Sequence, residues 1–259
     1  MIVILILGQL LVENLIGISL GNNYIFGLND NQFKIYNDVN KYVYNVPKSS
    51  SLGKGLVEIF QTLGSCFVTL NSTHFIQIGG YRYNKKSASV LLHHLDLRKL
   101  NELGPQIEII SSPLANLSMP RMQHGCTLVK MNEEEITIII AGGSVKNKRI
   151  SKSVEYLTLP YMNLNRVEGI NISSTRDWQT FTPLRTARTK YPSIGFVGTN
   201  FVATAGACGK KNRKRCHLVE KFNVSNNEWE VFQDLQLTHN RYDHSTIQIT
   251  KSFCDGKTC

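Results

Sequence analysis

Short apolar runs, rich in β-branched residues and ending in glycine, recur along this chain. Three of them are Phe75–Gly80, Ile138–Gly143 and Phe201–Gly206, and their last glycines fall at equal intervals. Self-similarity at a fixed period indicates a repeat architecture. A basic, polar stretch follows each glycine, and then a second apolar run beginning at Val90, Val154 or Val219. Two units close on a tryptophan with a phenylalanine three residues on: Trp178 with Phe181, and Trp229 with Phe232. Each next unit opens on an arginine followed, at the same short spacing, by His or Tyr: Arg121 and His124, Arg188 and Tyr191, Arg241 and His244. The runs are short and bounded by Gly, Asn, Ser and Pro, so each unit predicts four strands. No sustained helical period interrupts the middle of the chain.

These signals together resemble the kelch β-propeller family. The resemblance rests on the runs into Gly79-Gly80 and Gly142-Gly143, the degenerate Ala205-Gly206, the Val154-Glu155 and Val219-Glu220 strands, and Trp178 and Trp229. It covers residues 60 to 249. It implies an all-β fold, a propeller of four-stranded blades. In such blades Gly79, Gly80, Gly142, Gly143 and Gly206 would let inner strands crowd and turn. Trp178 and Trp229 would fill the wedge between blades. Arg121, Arg188 and Arg241 would sit at blade junctions and donate to carbonyls of the adjoining turn. Two departures stand out: the unit containing Gly80 lacks a tryptophan, with Ile107–Ile110 as its expected fourth strand, and residues 160–175 interrupt the next unit.

Residues 65–111, 124–181 and 191–232 give three complete units. Residues 244–249 read as one further strand, able to join three N-terminal strands at Tyr24–Gly27, Phe33–Tyr36 and Tyr42–Val46 and so lock a ring. That count gives about four blades. An incomplete or diverged propeller is the preferred reading, and a small four-bladed ring is the other. The domain reading is a leader over 1–19, the repeat domain over 20–250, and a cysteine-containing tail over 251–259.

The leader reading follows from the apolar run Met1–Leu7 and the small residues Gly17 and Ser19, although no basic residue precedes the run and Glu13 interrupts it. Glu13 also argues against a membrane span. Cys208 and Cys216 flank one basic loop and are expected to form a disulfide; Cys254 and Cys259 form a second close pair in the tail. Cys66 and Cys126 take equivalent first-strand positions and read as small buried thiols rather than partners. Asn71, Asn116, Asn171 and Asn223 each begin an N-glycosylation sequon. Leader, cysteines and sequons together favour a secreted protein in an oxidising compartment, with the cytoplasm as the alternative.

The formal net charge is +10. Much of the excess clusters in equivalent loops: Lys85 and Lys86; Lys146, Lys148 and Arg149; Lys210, Lys211, Arg213, Lys214 and Arg215. Arg121, Arg185, Arg188, Lys190 and Arg241 are expected on the same face, which would then attract an acidic partner. The leading function is therefore a non-catalytic module binding an acidic protein or polyanion. An intracellular adaptor recruiting a client to a ubiquitin-ligase component and a nucleic-acid-binding surface are the alternatives. The histidines make no recognised metal spacing and no catalytic motif is visible, so the sequence reading excludes an enzyme, a cofactor, a metal and a small-molecule substrate.

Overall fold

The structure is a computed structural model and describes residues 17–27, 32–97, 107–130, 134–160, 177–197, 200–208, 214–215 and 218–233. Its regular structure is mostly β. The N-terminal sheet is an antiparallel meander of β1 (Gly17–Leu20), β2 (Asn23–Gly27), β3 (Gln32–Asn37) and β4 (Tyr42–Pro47). Cross-strand pairs Ile18 with Ile25, Ile25 with Ile35, and Phe33 with Val46 put these side chains on one face, where all are buried. The two-residue period of the strands makes that face.

Helix α1 (Ser51–Phe60) follows β4. Ser50 caps it: its Oγ accepts from the Gly53 amide at 3.0 Å. Leu52, Leu56 and Ile59 are buried on one side of it. Its pattern of Leu52, Leu56 and Phe60 is a helical one, but Gly53 and Gly55 mask it by propensity. Gly53 is there for space, since a Cβ would fall 1.9 Å from the Pro47 carbonyl oxygen.

Three further four-stranded sheets follow. The second has the order β10-β9-β6-β5, built from β5 (Cys66–Thr69), β6 (His74–Ile78), β9 (Val90–His94) and β10 (Ile110–Pro113). The third runs in sequence through β11 (Gly125–Lys130), β12 (Glu135–Ala141), β13 (Val154–Pro160) and β14 (Gln179–Phe181). The fourth joins β16 (Ser193–Val197), β17 (Asn200–Thr204), β20 (Glu220–Asn223) and β21 (Glu228–Val231). Two small sheets complete the set: β7 (Tyr81–Arg82) with β8 (Lys85–Lys86), and β15 (Arg188–Thr189) with β18 (Ala207–Cys208) and β19 (Lys214–Arg215).

The propeller expectation is corrected by this architecture. The sheets are six separate, unclosed pieces of two to four strands, not blades of a closed four-bladed kelch ring. The N-terminal sheet shows the physical reason. Gly17–Leu20 supplies its fourth strand by pairing with β2, so the place reserved for residues 244–249 is already filled. Residues 244–249 themselves lie outside the described residues, as do 161–176. In the second sheet the expected strand at Ile107–Ile110 falls instead at Ile110–Pro113.

The chain divides into two compact units: residues 1–61, 69–75 and 93–111, and residues 62–68, 76–92 and 112–259. In the first, Phe33 stacks on Phe60 with ring centroids 5.4 Å apart, tying α1 to β3. In the second, Ala141, Val154, Leu184, Ile194, Phe201, Ala203 and Trp229 form one core cluster between the third and fourth sheets. Trp229 lies 5.3 Å from Phe201 and 5.6 Å from Phe222 by ring centroid. Buried aromatics of this size dominate such a core.

Candidate functional site

The second unit contains one polar arrangement twice. Arg121 and Arg188 are each 0% exposed. Arg121 donates through Nη1 to the Gly142 carbonyl at 2.9 Å and through Nη2 to Glu155 Oε1. Arg188 donates through Nη1 to the Ala205 carbonyl at 3.0 Å and through Nη2 to Glu220 Oε1 at 2.9 Å. The carboxylates also accept backbone amides, Ser118 onto Glu155 at 3.1 Å and Arg185 onto Glu220 at 2.8 Å. A charge removed from water persists only when paired and hydrogen-bonded in this way. Burial draws the Arg121 guanidinium below its ordinary value, and Glu155 pulls it back.

Backbone bonds repeat with the side chains. The Gly80 amide donates to the Arg121 carbonyl at 2.8 Å, and the Gly143 amide to the Arg188 carbonyl at 2.7 Å. Ser87 meets Ser89 by hydroxyls at 2.6 Å, and Ser151 meets Ser153 at 2.7 Å. Gly79 and Gly142 have φ of +58° and +70°, and a Cβ on either would press within 2.7 Å and 2.5 Å of the Arg121 and Arg188 carbonyl oxygens. Only glycine combines that backbone with that approach. Gly206 takes φ +77° in the corresponding turn. Trp178 and Trp229 donate through Nε1 to the carbonyls of Ala115 and Thr182, both at 2.9 Å.

His124 sits in the first of these junctions, 0% exposed, beneath the turn glycines. Neither ring nitrogen has a partner. Burial, with the Arg121 charge adding to it, pushes its pKa down to about 3. In the other unit, His93 stacks on Phe75 with centroids 4.8 Å apart, and burial pushes it down to about 4. His74 lies against His94 at 4.7 Å and is lowered by burial and by that neighbour.

Cys66 and Cys126 form a disulfide, with Cα atoms 6.1 Å apart. This corrects their reading as separate thiols. Equivalent positions on the first strands of successive repeats face each other here, which is what brings the two Cβ atoms together. The bond fits an oxidising, extracellular-type environment. Cys208 pairs in register with Lys214, while Cys216, Cys254 and Cys259 lie outside the described residues.

The residues expected on one basic face stand in different settings among the described residues. Arg121 and Arg188 are inside, held by the glutamates. Lys86 is half-buried, and its ammonium donates to Ser144 Oγ at 2.8 Å and to the Val145 carbonyl. Arg82 lies over the Tyr83 ring at 4.7 Å. Lys85, Lys146, Arg149 and Arg185 are exposed and Lys190 is half-buried. Lys148, Lys214 and Arg215 lie on elements whose side chains are not described there, and Lys210, Lys211, Arg213 and Arg241 lie outside the described residues. Of the sequons, Asn116 is exposed, Asn71 and Asn223 are half-buried, and Asn171 lies outside.

No known protein family and no curated protein matches this sequence. Among solved structures, a fungal alcohol oxidase of the AA5 family, in complex with copper, is similar at 11% identity and a TM-score of 0.45. The match covers 75% of this chain and 37% of the oxidase chain. The exclusion of enzymes and of small-molecule substrates is withdrawn: it rested only on motifs not seen in the sequence, and that excludes neither. The assignment as a kelch binding module, with its acidic partner, adaptor and nucleic-acid alternatives, is withdrawn with the closed propeller on which it was built. So low a likeness transfers neither oxidation nor copper. Among the described residues no three His, Cys, Asp or Glu side chains are placed to hold a metal ion. No helix among them is long and apolar enough to cross a membrane.

Proposed function

We propose that this chain is a frame domain of a secreted protein. Its repeated Arg–Glu junctions and its Cys66–Cys126 crosslink would fix the sheets of the second unit so that their connecting loops are presented from a rigid base. The observation that carries this reading is the duplication itself: Arg121 with Glu155 and Arg188 with Glu220 are buried in the same way, each beneath a glycine turn. Paired buried charges are weak sources of net stability but strong constraints on which arrangement is tolerated. A frame is indifferent to whether the loops it carries bind or react, so this reading accommodates a catalyst and a recognition protein alike. The Cys66–Cys126 bond and the sequons at Asn71, Asn116 and Asn223 are the supports for secretion.

Hydrogen exchange of the intact, oxidised protein tests the frame. The amides of Gly80 and Gly143, which donate into the two junctions, should be among the slowest in the chain. Exchange there as fast as at the exposed hairpin residues Val224–Asn227 would reject it.

A further inference from the structure

We infer that Asn116 and Asn223 carry N-linked glycans and that Asn71, despite its sequon, stays bare in the folded protein. The inference rests on the secretory reading above and adds which acceptors the fold can accommodate.

Asn116 lies in the segment that leads from β10 toward Arg121 and is exposed. The chain around it is pinned at short intervals. The Leu114 amide donates to the Val90 carbonyl at 2.9 Å, the Leu117 amide to the Ala88 carbonyl at 2.8 Å, and the Ser118 amide to Glu155 at 3.1 Å. Leu114 and Leu117 point inward and are buried, so the asparagine between them is turned to solvent. A glycan there displaces nothing.

Asn223 ends β20 at the mouth of the hairpin to β21. Its Oδ1 accepts the Ser225 amide at 3.0 Å, which orders the sequon as a turn. Val224 is 82% exposed, and Ser225, Asn226 and Asn227 are exposed with it. The Nδ2 has only a long contact to Glu230, at 3.5 Å, to give up.

Asn71 is built in. Its Oδ1 accepts the Thr73 and His74 amides, both at 2.8 Å, and the Thr73 hydroxyl at 3.1 Å. The turn it organises packs on the β1–β2 turn, where a Cβ on Gly21 would come within 2.9 Å of the Ser72 Cβ. A glycan on Asn71 would have to clear this packed turn, one residue from the Ser72–Gly21 contact, while leaving the bonds to its Oδ1 in place, and that is the ground for expecting it bare.

In the transfer, the asparagine Nδ2 forms a bond to the anomeric carbon of an N-acetylglucosamine. The bond from that carbon to the pyrophosphate of a lipid-linked oligosaccharide donor breaks. The lipid pyrophosphate leaves with the electron pair, and Nδ2 loses one proton.

The test directs the full chain into the secretory pathway of a eukaryotic host behind the host's own leader. The secreted protein is digested with and without peptide N-glycosidase, and each sequon is read by mass. Conversion of Asn116 and Asn223 to aspartate by the glycosidase, with Asn71 unchanged, is expected. N116Q and N223Q should each remove one glycan's mass, and N71Q should remove none. Bare Asn116 or Asn223, or Asn71 as fully occupied as they are, overturns the inference. Failure of the secretory reading appears separately, as free thiols at Cys66 and Cys126 in protein from its natural source.

Discussion

Arg188 and Glu220 meet at 2.9 Å with both side chains at 0% exposure, 32 positions apart in sequence. Each would be a strongly unfavourable buried charge without the other. Glu220→Ala should therefore cost about 3–5 kcal/mol, the usual penalty for stranding a buried ion. The double change Arg188→Met with Glu220→Leu should cost less than that single change. Urea midpoints of the two variants and the wild type decide it. A double variant as unstable as Glu220→Ala, or worse, would show that the charges are not coupled.

The glycine turns predict a sharp contrast between two alanine substitutions. Gly142 has φ +70°, and its added Cβ would lie 2.5 Å from the Arg188 carbonyl oxygen, a backbone atom that cannot swing aside. Gly195 stands in a strand, and its nearest atom is Thr127 Oγ1 at 3.9 Å. Gly142→Ala should lose at least about 2 kcal/mol, and Gly195→Ala should stay within about 1 kcal/mol of wild type. Equal effects at the two positions would mean the turn does not hold this approach.

Three buried histidines make the fold sensitive to acid. His124 is pushed down to about 3, His93 to about 4, and His74 below its ordinary value, each chiefly by burial. Their folded-state values lie below the unfolded value of about 6.5. Above that pH both states are neutral and stability is unaffected. As pH falls from about 6.5 toward 4 and then 3, the unfolded chain takes up protons that the folded chain refuses, and stability is lost. His124→Leu should flatten the fall of the urea midpoint with pH over that window. A profile as steep as wild type would place the proton uptake elsewhere.

The Cys66–Cys126 bond closes a stretch with a sequence separation of 60. Constraining the unfolded chain over that span should contribute roughly 2–4 kcal/mol. Cys66→Ser and Cys126→Ser, singly and together, should lower the urea midpoint by the same amount, since either change breaks the same bond. A double variant clearly worse than both singles would assign the loss to packing instead.

Much of this arrangement is written in short-range pattern. Glycine runs at equal intervals mark β6, β12 and β17 because a strand ending in a turn leaves the same signal wherever it occurs. Trp178, Trp229, Arg121 and Arg188 stand out for the same reason. Glu155 and Glu220 could have been paired with the arginines, since each follows a valine at the same place in its repeat, but a lone glutamate in a strand carries no sign of its partner. The Ser87–Ser89 and Ser151–Ser153 pairs are equally visible in hindsight and read only as polar linker. Whether sheets close is a long-range matter, decided by which strand takes an open edge. Gly17–Leu20 took the edge assigned to the C-terminal strand because Ile18 and Leu20 alternate inward beside Ile25, a short pattern overshadowed by the apolar run before it. Arg121 and Arg188 are expected on a basic face because position along the chain does not say whether a long side chain turns inward, as both junction arginines do.

The central claim is a frame crosslinked in an oxidising compartment, and a non-reducing peptide map of the protein from its natural source tests it most directly. The account predicts one peptide species joining the Cys66 and Cys126 segments, which separates into two on reduction. Both cysteines recovered as free thiols, trapped by alkylation before lysis, would contradict it.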